Sequence, residues 1–315
     1  MISRSRLAGY LFALCAGILW GTTGPLSTAL YAEGAKLTAV GFWRILLSVA
    51  GLAIFGLTRP GFFKVDRRGI LLVGLLGGAL VATFEVGLQF AIAGLGVAPA
   101  VTLLYTAPIV VALLAHPLLG EAITKSRVVI AVAVLIGVWL TLTGTVDDGS
   151  GDGAANTAPP FVLALSWGTL AALSYAGTTL MARYAVPRYG AVKVLFLELL
   201  GGTALLGLLL PLTGNAPAPA QTLAGWIYIV ALGIGTVLAA NFFFFAGVRR
   251  IDAAPTAVAA SIEPVVGALL ALILFGQQLT GAGWIGLLMV VGGVATSSLL
   301  EAKTPAEREP VTVGT

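Results

Sequence analysis

Apolar residues run along this chain in long unbroken stretches, with no helix-period alternation of apolar and polar positions. A bilayer core of about 30 Å takes about 20 apolar residues to cross as a helix. Ten stretches of that kind stand near residues 7–29, 39–58, 70–93, 97–119, 128–146, 160–181, 191–212, 223–247, 254–275 and 281–300. Glycine and proline punctuate the breaks, at 59–61 and again at 149–160. The pattern predicts an all-α integral membrane protein of ten transmembrane helices, divided five and five by the polar stretch Asp147 to Pro160. Arg4 and Arg6 before the first stretch imitate a signal peptide. The run is nevertheless too long for one, contains Trp20 and Pro25, and lacks a small-x-small site near Ala32.

One segment occurs twice. Val97–Gly120 returns as Ala253–Gly276, with Pro99, Pro108 and Gly120 matched by Pro255, Pro264 and Gly276, each 156 residues further on. Two prolines and a glycine in register mark an internal duplication, so the expected organisation is a first repeat over 1–146, a periplasmic linker over 147–159, a second repeat over 160–300 and a disordered tail over 301–315. Five spans are an odd number, which forces the second repeat to insert upside down relative to the first.

Charge then supplies the orientation. The chain is 58% hydrophobic and 10% charged, with a mean hydropathy of +1.02. With the N- and C-termini cytoplasmic, 15 of the 17 Lys and Arg fall inside; Lys36 falls outside and Arg44 within a span. The acidic Asp147, Asp148 and Asp152 then face out, and the turn Gly94–Gly96 is uncharged where its repeat partner carries Arg249 and Arg250. The net charge of +4 reads as membrane orientation and not as nucleic-acid binding. Inverted repeats imply alternating access around a site near the midplane, hence transport of a small molecule. An intramembrane enzyme would need a nucleophile-base pair or a metal set, and a scaffold for a partner would need no polar lining.

Ionisable residues inside spans carry the sharper signal, since each costs at least about 2.5 kcal/mol on the insertion scale unless partnered or wet. Four stand out: Arg44, Glu85, Glu198 and Glu263. At about 1.5 Å per residue Arg44 and Glu85 fall at similar depth in the outer half. They read either as an interhelical salt bridge or as a pair that holds a zwitterion. Glu198 and Glu263 fall in the inner half and read either as packed acids or as a proton-coupling site. Their repeat counterparts differ: Glu198 stands where Arg44 stands, Asn241 where Glu85 stands, and Glu263 where Ala107 stands. Trp20, Thr23 and Ser27 share one face of the first span, and Trp167, Ser174 and Thr178 are read as doing the same on the sixth, its repeat mate. Gln89 follows Glu85 by one turn, and Tyr105 and Ser261 are repeat mates one turn before the paired prolines. These polar and aromatic positions line a substrate cavity or bond between helices. Pro108 and Pro264 read as matched hinges or packing kinks. The run Phe242–Phe245 covers every side of a helix and is expected to face lipid or to pack.

Other chemistry is thin. Cys15 is the single cysteine and His116 the single histidine, so neither an intrachain disulfide, a His-based metal set nor a Ser-His-Asp triad is available. No P-loop occurs, and no cofactor or metal is expected. The bilayer and a small solute are the expected partners, and the chain is expected to work as a monomer.

The residues also carry a family resemblance. Trp20-Gly21-Thr22, Phe42-Trp43-Arg44, Pro108, Gly120-Glu121, Glu263-Pro264 and Gly276 together resemble the EamA-domain pattern of the drug/metabolite transporter superfamily, over nearly the whole chain. Size and aromatic richness are most similar to its YddG-type bacterial exporters of amino acids, aromatic ones included. The resemblance implies a secondary transporter of the bacterial inner membrane that exports small organic solutes, with a drug or metabolite carrier of the same fold as the alternative. One position departs from the pattern: Gly276 is followed by Gln277 where the family often has Glu, leaving Glu121 alone, expected in a surface ion pair with Lys125 and Arg127.

Overall fold

A computed structural model of the 315-residue chain describes residues 4–111, 114, 125–146 and 158–303. Gly120, Glu121 and His116, the greater part of the linker and all of the tail beyond 303 lie outside the described residues.

The described chain is helical apart from two-residue strands β1 (Thr145–Val146) and β2 (Gln278–Leu279), which pair antiparallel. In the first half, α1 (Arg4–Gly21) and α2 (Thr23–Ala32) form one run broken at Thr22, followed by α3 (Leu37–Leu57). A π-helical stretch, Gly69–Gly77, leads into α4 (Gly78–Leu95); α5 (Val97–Leu104) is followed by a helical piece α6 (107–111) and by α7 (Lys125–Thr143). In the second half come α8 (Phe161–Tyr189), α9 (Ala191–Leu212), then α10 (Leu223–Val230), the π-helical stretch Ala231–Ala239 and α11 (Ala240–Ile251) as one run. α12 (Ala253–Ala260), α13 (Glu263–Phe275) and α14 (Gly281–Lys303) complete it.

Seven of these runs are long and apolar enough to cross a membrane: Ser5–Ala32, Leu37–Leu57, Gly69–Leu95, Phe161–Tyr189, Ala191–Leu212, Leu223–Ile251 and Pro255–Phe275. Three further apolar helices, Val97–Val111, Val128–Thr143 and Gly281–Ser297, are shorter over the described residues. Over the described residues these runs and helices overlap the expected stretches in order. Large apolar side chains such as Ile54, Leu57, Trp139, Val162, Leu212 and Ile273 stand exposed on the outside of the bundle, as lipid demands and water does not.

Packing relates the two halves pair by pair. The helix α4 packs on α8 as α11 packs on α1; α5 meets α8 as α12 meets α1; and α3 with α9 and α7 with α14 are contacts between equivalent helices. Aromatic contacts line the first of these. Trp20 packs on Phe244 at 5.3 Å between ring centroids, and Tyr175 packs on Phe84 at 5.4 Å; Phe12 stacks on Phe243 where Trp167 stacks on Phe90.

Proline marks where the helices break. The turn Tyr105–Thr106 separates α5 from α6, and the turn Ser261–Ile262 separates α12 from α13. Pro108 and Pro264 thus sit in the first turn of a new helix, where the missing N–H has no intrahelical acceptor to lose. Pro25 is likewise near the start of α2, just past the break at Thr22. Glycine marks the closest approach: a Cβ on Gly78 would lie 2.6 Å from the Gly201 carbonyl carbon, so α4 and α9 cross backbone to backbone.

Candidate functional site

The halves enclose a cavity of about 460 Å³. Its wall takes Trp20 and Thr23 from the broken first run, Arg44 from α3, Phe84 and Glu85 from α4, and Tyr105 and Pro108 from the α5–α6 break. The second half contributes Tyr175, Thr178 and Arg183 from α8, Glu198 from α9, Asn241, Phe244 and Phe245 from α11, and Ser261 and Glu263 from the α12–α13 break. Every ionisable residue expected inside a span therefore reaches one cavity. The lining runs on to Arg183, Leu195 and Ser297, towards the end of the bundle that carries Arg59, Arg67, Arg68, Arg188 and Lys193. At the opposite end the first run closes on its neighbours: a Cβ on Gly21 would lie 2.7 Å from Val266, and one on Gly24 would overlap Val97.

The expected pair forms. Arg44 donates through Nη1 to Glu85 Oε2 at 3.1 Å, both side chains buried. The helix α3 brings Arg44 there because Gly41, one turn earlier, lets the α4 backbone approach at Glu85. Ser48, one turn on from Arg44, lies with Oγ 2.8 Å from the Arg44 carbonyl and 2.9 Å from the Gly233 carbonyl, tying α3 to the second half. Across the cavity Tyr105 donates its hydroxyl to Glu263 Oε2 at 3.0 Å. Both groups stand at helix breaks, Glu263 as the first residue of α13, where its carboxylate meets the positive end of the helix.

Glu198 differs. It lies against Gly77, whose added Cβ would come 2.9 Å from its Cγ, and its buried Oε1 has no hydrogen-bond partner among the described residues. Arg44 Nε, Ser27 Oγ and Gln89 Nε2 share that condition. Thr178 donates to the Tyr175 carbonyl at 2.9 Å and Asn241 to the Val237 carbonyl at 2.7 Å, bonds within their own helices that leave the hydroxyl and amide oxygens free to accept.

Of the sequence-predicted lining, Trp20, Thr23, Arg44, Glu85, Tyr105, Thr178, Asn241, Glu198, Glu263 and Pro108 border the cavity. Gln89, Trp167, Ser174 and Pro264 are not among the residues that border it. Gln89 is fully buried, its Oε1 accepting from the Tyr31 hydroxyl at 2.6 Å; Ser174 is buried in α8; and Trp167 stacks on Phe90. Phe244 and Phe245 were expected at lipid or in packing; Phe244 packs on Trp20 and on Phe245, and both also border the cavity. Tyr175, Thr179 and Phe84 escaped the sequence reading. A repeat offset of 155 residues for the first helix, the one that pairs Thr23 with Thr178, would have found Tyr175 opposite Trp20. Among the described residues no three His, Cys, Asp or Glu gather as a metal site.

The sequence profile of the EamA-like transporter family matches residues 7–143 and again residues 162–299. The chain belongs to the EamA-like transporter family. Relatives at the level of whole chains agree: an uncharacterized transporter of Archaeoglobus fulgidus is 25% identical over 272 residues, 86% of this chain and 90% of its own length. The uncharacterized transporter YwfM of Bacillus subtilis is 26% identical over 94% of this chain and 96% of its own. A solved crystal structure superposes with a TM-score of 0.63 over 96% of this chain and 100% of that one, at 24% identity, and shares the fold. This EamA-like chain is thus a multi-pass membrane transporter, whose family implies a small-molecule substrate and a bilayer.

Proposed function

We propose that this EamA-like transporter exports small amino-bearing organic solutes, amino acids with aromatic side chains foremost, by alternating access through ten spans arranged as two inverted repeats. The single observation that carries the reading is the cavity itself: a volume of about 460 Å³, walled by both halves, with a buried guanidinium and three carboxylates set among aromatic rings. That volume lies within the roughly 300–1,000 Å³ typical of small-molecule sites.

Chemistry follows from the partners. Arg44 recognises a carboxylate through its planar fork, and Glu85, released from Arg44 as the solute arrives, takes the ammonium group. Trp20, Tyr175 and Phe244 supply faces for an aromatic side chain. Glu198 and Glu263 are the proposed proton carriers, and Pro108 and Pro264 the proposed hinges. The positive-inside rule places the basic end in the cytoplasm of a bacterium, so the cavity reaches towards the side from which an exported solute enters.

Counterflow of radiolabelled amino acids in proteoliposomes tests this reading. Uptake competed by aromatic amino acids is expected, lowered in Arg44→Ala and Glu85→Gln. Competition only by amphiphilic drugs or by non-amino metabolites would move the assignment to a drug or metabolite carrier. Flux indifferent to an imposed pH gradient would remove proton coupling.

A further inference from the structure

The cavity reaches one end of the bundle, and a polar seam leads from it to the other. On α2, Thr23, Ser27 and Tyr31 follow one another at i, i+4 and i+8, so they share a helix face. On α4, Gln89 stands one turn beyond Glu85. Thr23 and Glu85 border the cavity; Ser27, Tyr31 and Gln89 lie past it, all buried. Tyr31 bridges the two helices by donating to Gln89 Oε1 at 2.6 Å.

The seam is incompletely satisfied. Ser27 Oγ and Gln89 Nε2, both in side chains with no exposure, have no partner among the described residues, and at the foot of the seam Arg44 Nε has none either. A buried polar group left without a partner costs about 1–3 kcal/mol, and a lipid-facing neighbour offers no relief. Two other routes to the same end are apolar or already bonded. Beyond Glu263, α13 continues Pro264, Val265, Val266, Gly267, and on α5 the Thr102 hydroxyl donates to the Ala98 carbonyl at 2.6 Å. The closing contacts at that end, Gly21 on Val266 and Gly24 on Val97, also belong to the first run.

We infer that Ser27, Tyr31 and Gln89 line the exit half of the solute path, closed here and hydrated when α2 separates from α4. The inference rests on the alternating-access reading above and adds to it the route, which the cavity does not contain. In the closed form Tyr31 latches α2 to α4 through Gln89. On opening, that bond passes to water or to the ammonium group of the leaving solute, and Ser27 is hydrated.

Thiol accessibility in sealed vesicles tests it. Full-length protein with Cys15→Ser would carry Ser27→Cys or Gln89→Cys, and Ser48→Cys as the control, because Ser48 is equally buried but lies within hydrogen-bond reach of two carbonyls. A membrane-impermeant methanethiosulfonate reagent applied from the end away from the basic loops is expected to modify positions 27 and 89 and to leave position 48 untouched. Inert thiols at both positions, in vesicles that still carry solute, would overturn the route and leave the transport reading standing. Modification at both with no flux for any solute would support the opening seam and remove the transport reading. Where a cysteine variant fails to reach the membrane, Tyr31→Phe decides. A latch on the path predicts a shift towards the open seam, with exchange changed about tenfold for the one hydrogen bond lost from the closed form, whatever thermal stability is lost with it. A packing residue predicts lowered stability with exchange unchanged, which would contradict the proposal.

Discussion

Arg44 and Glu198 occupy corresponding places on α3 and α9, equivalent helices of the two halves, yet their surroundings are unlike. Arg44 has Glu85 at 3.1 Å and a serine one turn on that ties its helix to the second half. Glu198 has bare backbone at Gly77 and an oxygen with no partner among the described residues. The duplicated scaffold conserves which helices touch, while the chemistry at matched positions has diverged. One half holds an ion pair, and the other holds a buried carboxyl with no such partner among the described residues.

Removing the scaffold under both residues should have the largest effect. A side chain at Gly201 collides with the Gly74 carbonyl on the π-helical stretch that precedes Gly78. Gly201→Val is therefore expected to lose the folded protein, read as absence of a monodisperse peak in detergent, and Gly201→Ala to lower stability by about 1–3 kcal/mol.

Breaking the paired side comes next. Arg44→Ala leaves Glu85 buried without its guanidinium, a loss of about 3–5 kcal/mol by the general behaviour of severed buried pairs. The double variant Arg44→Met with Glu85→Met should recover most of that stability while failing to carry solute, as a thermal melt beside a flux assay would show. Equal damage from single and double variants would mean that the pair does not act as a unit.

The unpaired side should respond in the opposite sense. Glu198→Gln keeps shape and replaces a carboxyl whose Oε1 has no partner among the described residues, so thermal stability should be unchanged or slightly raised, within about 1 kcal/mol, while gradient-driven flux falls. A large loss of stability would show that Glu198 is held by a bond its surroundings do not reveal.

The smallest effect belongs to the basic end. Asp66, between α3 and the π-helical stretch, accepts from the Tyr189 hydroxyl, from the Gly69 backbone and from Arg188. The tyrosine hydroxyl above all, then the Gly69 N–H and the Arg188 charge, hold its carboxyl below the ordinary carboxylate range. A depressed folded-state value contributes stability that is present above the unfolded value of about 3.9 and lost as pH falls through the folded one. Wild type should thus exceed Asp66→Asn in melting temperature at neutral pH, and the gap should close below about pH 4.

Much of the architecture was legible in the chain. Hydropathy alone placed 191–212 and 39–58 against the observed Ala191–Leu212 and Leu37–Leu57, because crossing a bilayer fixes both length and polarity. The depth match of Arg44 and Glu85 followed from the constant rise of a helix. Rotation was harder to read. In a helix that is apolar on every side, a phenylalanine facing a cavity and one facing lipid look alike, which is why Phe244 and Phe245 were assigned to packing and Tyr175 was passed over. The tryptophans divide in the same way: Trp20 borders the cavity, whereas Trp167 stacks on Phe90 away from its lining.

The central claim is that the cavity joining Arg44 and Glu85 to the acids of the second half is where the solute binds. Counterflow of a radiolabelled aromatic amino acid into proteoliposomes, compared between wild type and the still-folded double variant Arg44→Met with Glu85→Met, tests it most directly. The account predicts competable counterflow in wild type and none in the variant. Identical kinetics in the two proteins would contradict it.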